Sequence, residues 1–151
     1  MAEKYREMGS AGDGMKTSSD ALVEVAPVWN EIRNDAPNTI NWVWCRHDKT
    51  LYKVVSHGEG GIDEMISAGL VDSSFIYFGG LRVAVEGKIR FVHVVFIPDG
   101  VSALQKGKAQ LHKSAIFNSW PGSSGEISTM DITHLRFELA KKLKCEEKDL
   151  S

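Results

Sequence analysis

From Arg90 to Ile97 the chain reads Arg-Phe-Val-His-Val-Val-Phe-Ile, and Pro98-Asp99-Gly100 then stops it. A run this apolar and β-branched marks a central strand with both faces covered. The chain must therefore hold a sheet with helices packed on each side. Upstream, Phe75 to Val85 is also β-rich, and Glu86-Gly87-Lys88 between the two runs is a hairpin signal. Downstream, Ser102 caps the most helical region, Ala103 to about Ser119. Pro121-Gly122-Ser123-Ser124-Gly125 ends it.

The rest of the chain supplies elements of the same kind. Ser18-Ser19-Asp20 can cap a first helix, in which Leu22, Val25, Val28, Trp29 and Ile32 recur at helical spacing. Pro27 either kinks that helix or opens a shorter one. Asn34-Asp35-Ala36-Pro37-Asn38 turns the chain. Ile40 to Cys45 and Leu51 to Val55 form strands around His47-Asp48-Lys49-Thr50. Ser56 to Gly61 is a loop, and Ile62 to Leu70 holds a short helix closed near Gly69. Glu126 to Met130 is a short edge strand. Asp131 or Thr133 caps a last helix with the stripe Ile132, Leu135, Leu139 and Leu143.

The order α-β-β-α-β-β-α-β-α describes one α/β (α+β) domain with a mixed sheet between helices. At 151 residues a single core suffices. We expect a disordered tail over 1–17, where three glycines and few apolar residues fall, a domain over 18–145, and a flexible tail over 146–151.

Composition removes several function classes. A net charge of −2 gives no global field for nucleic acid or anionic membrane. No apolar run approaches a membrane span, and Met1 to Glu7 holds no signal-peptide core. Met8-Gly9-Ser10 imitates a myristoylation start but is internal. Two distant cysteines, Cys45 and Cys145, suit free thiols in the cytosol.

Catalytic and metal motifs also fail. Gly58-Glu59-Gly60-Gly61 lacks the Lys-Ser/Thr of a phosphate loop and reads as a turn. Cys45 and His47 share a strand face, and a metal site there would need His57 or His93 as well, but no tight second ligand pair exists. His93, inside the apolar run, reads as a buried, hydrogen-bonded histidine. No serine sits in a nucleophile elbow, and Asp63-Glu64 simply suit a helix start. We expect no enzyme, no cofactor and no metal.

What remains is local positive charge, and we expect the cations of the second hairpin and of the long helix to converge on a single exposed surface. Lys88 and Arg90 flank the second hairpin. Lys106, Lys108 and Lys113 lie on the long helix, and Arg136, Lys141, Lys142 and Lys144 on the last one. On a helical wheel Val101, Leu104, Leu111 and Ala115 form the expected buried stripe. Lys106, Gln110 and Lys113 fall opposite, and Lys108 falls beside the stripe, where its stem must snorkel. Gly107 costs about 1 kcal/mol in a helix interior, so another backbone is expected close by.

The stretch Lys88-Ile-Arg-Phe-Val-His-Val-Val-Phe-Ile-Pro-Asp-Gly-Val-Ser-Ala-Leu-Gln-Lys-Gly-Lys108 resembles the actin-depolymerising-factor homology (ADF-H) domain, in particular its coactosin-like branch. Trp29-Asn-Glu-Ile-Arg-Asn-Asp35 is similar to the end of that family's first helix, and Ile40-Asn-Trp-Val to its first strand. The likeness runs from about Val28 to Leu143. It implies a five- or six-stranded mixed sheet of ADF-H/gelsolin-like type, no cofactor, and actin binding through the long helix, the preceding hairpin and the last helix. Matching positions make Lys88, Arg90, Lys106, Lys108 and Lys113 the actin-binding candidates.

Three departures stand out. Phe96 replaces a frequent Trp, Trp120 to Gly125 cuts the long helix short, and the short serine-bearing start of cofilins is missing. The last favours a coactosin-like side-binder of filaments over a severing or depolymerising protein. One domain with a slight net charge is expected to be a monomer, and we expect it in the cytoplasm and cytoskeleton. A cofilin-like protein that binds actin monomers and severs filaments is the alternative. An adaptor for an acidic protein or phosphoinositide is another.

Overall fold

The computed structural model describes residues 19–34 and 39–151. The expected tail over 1–17 lies outside them, as does most of the turn after Asn34. Two hairpins build the sheet. β1 (Trp42–Asp48) and β2 (Leu51–Gly58) are joined by Lys49-Thr50, with Lys49 at φ 61°. β3 (Tyr77–Val85) and β4 (Lys88–Phe96) are joined by Glu86-Gly87 at φ 50° and 84°. Positive φ at both central residues is the turn that matches strand twist, which is why Gly follows Glu86. β5 (Gly125–Thr129) completes five strands in the order β2-β1-β3-β4-β5. Only β4 and β5 run parallel, so a crossover must join them, and α4 (Ala103–Asn118) provides it.

The strands alternate between two cores. Trp42, Trp44, Leu81, Val92, Val94 and Ile127 face α3 (Gly61–Ile66) and α5 (Leu135–Leu143). Val43, Cys45, Phe78 and Val95 face α1 (Ser19–Leu22), α2 (Ala26–Arg33) and α4. Pro27 thus sits in the first turn of a short helix, after a break at Val25, whose N–H bonds Leu22 O at 3.1 Å.

Tryptophans press on the middle strand from both faces, which explains Gly79-Gly80. A Cβ on Gly79 would lie 2.8 Å from Trp44, and one on Gly80 would lie 2.8 Å from Trp29. On the α2 side, Trp29 and Trp120 stack at 5.4 Å and 11°. Trp120 Nε1–H donates to Val25 O at 2.9 Å, and Trp29 Nε1–H to Pro121 O. His93 is buried, stacks on Phe117 and is bonded through Nε2 to Trp120 O.

The last residues correct the expectation of a flexible tail. Glu146 and Asp149 make a reciprocal capping box around the turn Glu147–Asp149. Leu150 is 4% exposed and joins the α5 core, while Ser151 N–H bonds Ala84 O. Arg136 clamps this segment through Glu147 O and Leu150 O and pairs with Asp63 at 3.1 Å. One apolar side chain with a waiting socket outweighs the polar composition around it.

Candidate functional site: two cationic surfaces

The long helix α4 starts where Ser102 Oγ accepts the Gln105 N–H at 3.2 Å. Its inward side is His112 and Ile116, with Gln105 and Ala109 half-buried. The wheel expectation is therefore corrected. Val101 is buried, but Leu104 is 68% and Leu111 54% exposed, and Ala115 is only half-buried. The helix is rotated by roughly 100°, about one residue. Buried polar groups and aromatics decide this. Tyr52 Oη is hydrogen-bonded to His112 Nδ1 at 3.1 Å, and His112 stacks on His47 at 4.0 Å. At the other end Phe117 and Trp120 fasten the helix to the sheet.

This rotation reassigns the lysines. Lys106 is exposed, as expected. Lys108 is exposed as well, against the wheel expectation. Lys113 is not on the outer face. It is half-buried and pairs with Glu126 of β5 at 2.9 Å. Among the described residues nothing lies within 4 Å of where a Cβ on Gly107 would stand, so no backbone of theirs approaches it. We expect Gly107→Ala to stabilise the fold by about 1 kcal/mol through helix propensity. Urea denaturation checks this, and a loss of stability would show a packing role.

The hairpin cations lie elsewhere. β3 and β4 pair in unbroken register from Tyr77 to Lys88, so alternation holds along β4. Phe91, His93 and Val95 point to the α4 side, and Val92 and Val94 to the α5 side. Lys88 and Arg90, both exposed, share the second parity and lie on the α5 face. Lys142 of α5 joins them, because its side chain crosses Gly125, the partner of Val92. The expected single patch is thus two surfaces. Lys106 and Lys108 sit on one side, and Lys88, Arg90 and Lys142 on the other. Among the described residues Lys88, Arg90, Lys106 and Lys108 enter no ion pair. The sequence carried the signal for this split, since even and odd positions of β4 face opposite ways, but not which face α4 covers.

The remaining candidates have structural work. Glu64 fills the space over Gly58-Glu59-Gly60-Gly61 with its own carboxylate, accepting Trp42 Nε1–H at 2.7 Å and Gly60 N–H at 2.9 Å. The Trp42 bond, then the Gly60 bond, hold that carboxyl below its usual range. Cys45 is fully buried, and burial pushes its thiol up. Among the described residues no three metal-ligating side chains come together. No helix among them is long and apolar enough to cross a membrane.

The fold is shared with solved structures of coactosins. Coactosin from Entamoeba histolytica superposes with a TM-score of 0.70 at 20% identity, over 80% of this chain and 91% of that one. Human coactosin-like protein gives 0.70 at 19%, over 86% and 98%. Mouse coactosin, described as an actin filament binding protein, gives 0.67 at 19%, over 87% and 91%. At such identities the likeness establishes the fold alone. A sequence search of curated proteins finds no match. The family model for cofilin/tropomyosin-type actin-binding proteins matches residues 18–143, nearly the whole domain, and the chain belongs to that family.

Proposed function

We propose that this protein binds the side of actin filaments as a coactosin-like, non-catalytic factor of the cytoplasmic cytoskeleton. The observation that carries the reading is the placement of exposed cations, without an ion-pair partner among the described residues, on both faces of the fold of an actin-binding family. One surface is Lys106 and Lys108 on α4, with exposed Leu104 as an apolar anchor. The other is Lys88 and Arg90 with Lys142. A partner on one side only would leave the second surface idle, whereas a polymer offers neighbouring acidic subunits to both. Gly107, open above its Cα, lets a partner's backbone approach α4 closely. Lys113, held by Glu126, contributes least.

Each exposed contact supplies well under about 1 kcal/mol, so affinity is a sum and falls with salt. The test is co-sedimentation with polymerised actin. Lys106→Glu/Lys108→Glu and Lys88→Glu/Arg90→Glu should each weaken binding by about ten-fold, since reversal replaces attraction with repulsion. Lys113→Glu should pellet nearly as wild type does. If wild type and both double reversals pellet alike, these surfaces are not the contact. A monomer-binding assay separates the cofilin-like alternative.

A further inference from the structure

A cleft of about 750 Å³ opens between α4 and the tip of the β1–β2 hairpin. We propose that it is a binding site for a small free carboxylate with an apolar body, such as a medium-chain aliphatic acid. Its walls are Phe75, Leu104 and Leu111, and mostly apolar walls of this volume suit a small molecule. Its charge is one-sided. Among the described residues Lys49 and Lys108 line it, and no acid does. The carboxylate of Asp48, at the end of β1, acts on its floor.

The floor is the stacked pair His47 and His112. His47 Nε2 is buried and has no hydrogen-bond partner among the described residues. Burial and then the Lys108 charge hold the His47 imidazole below its usual range. Burial, His47 and Lys108 hold His112 down to about 4. Burial thus disfavours a positive charge on either ring, and Lys49 and Lys108 supply the counter-charge to a carboxylate. Leu104 and Leu111, both exposed large apolar side chains, would be covered by the ligand's body.

Titration of the protein with decanoate at pH 7.5, below its micelle concentration, tests this by calorimetry and amide chemical shifts. Decanoate should bind one per chain, with shifts confined to α4, the hairpin tip and Phe75. Decanol, without the charge, should bind about ten-fold more weakly. Lys108→Glu and Lys49→Glu, both at exposed positions that leave the core untouched, should each weaken decanoate about ten-fold. Arg90→Glu, on the other face, should leave it unchanged. Equal affinity for decanol, unchanged affinity in both lysine variants, or shifts spread beyond the cleft would overturn the proposal. So would pelleting on phosphatidylserine vesicles without any binding of free decanoate, which would make the cleft a membrane contact.

Discussion

Trp120→Ala should destabilise the protein by about 3–5 kcal/mol, the range for emptying a large aromatic site in a core. Trp120 is fully buried and stacks on Trp29. It also touches the rings of His93 and Phe117, which cannot close the void without leaving their own partners. Its indole N–H satisfies Val25 O, in the break between α1 and α2, so truncation orphans a buried carbonyl as well. A domain of this size loses roughly 2–4 °C per kcal/mol, so the midpoint should fall by about 10 °C or more. Trp120→Phe keeps most of the stack and should cost about 1–2 kcal/mol, chiefly the lost hydrogen bond. A loss below about 2 kcal/mol in the alanine variant, measured by urea unfolding, would mean that the aromatic block does not hold the N-terminal helices to the sheet.

Gly80→Ala should cost about 1–3 kcal/mol, the usual penalty for forcing extra volume into a packed core. The added methyl would stand 2.8 Å from Trp29 and 3.2 Å from Trp120, two rings already stacked on each other. Neither can retreat cheaply, since each is held by a hydrogen bond to the backbone. A smaller neighbour should relieve the clash. In a Trp29→Leu background the added cost of Gly80→Ala should shrink, and a double-mutant cycle reads that coupling. Strict additivity would place the cause in the strand backbone and not in the tryptophans. Gly107→Ala, with open space above it, has the opposite expected sign, so two glycines of one chain report two different environments.

Both variants bear on function only through the fold. The aromatic block carries α4 on the sheet through Phe117 and Trp120, so loosening it should blur the presentation of Lys106 and Lys108 without touching either. The proposed filament binding is therefore best measured for Trp120→Ala well below its unfolding midpoint.

Much of this architecture was legible in the residues. The apolar run through Val92 to Ile97, the turn at Glu86-Gly87 and the cap at Ser102 depend on neighbours a few positions away, and so does the order of elements. Local rules reach that far because backbone sterics and short-range hydrogen bonds act within one turn or one hairpin. What only the tertiary structure decided was direction. A helical period tells which side chains share a face, not which face meets the sheet. Apolar count pointed α4 inward by Leu104 and Leu111, but Tyr52, His47 and the aromatic block drew His112 and Ile116 there instead. The same holds for Lys88 and Arg90, whose parity is fixed by the strand while the helix above each face is chosen by packing. Leu150 is a further case, for its socket beside Val85 is built by residues far away in the chain. Burial is a property of the pair that meets, and neither partner carries the other's position in its own sequence.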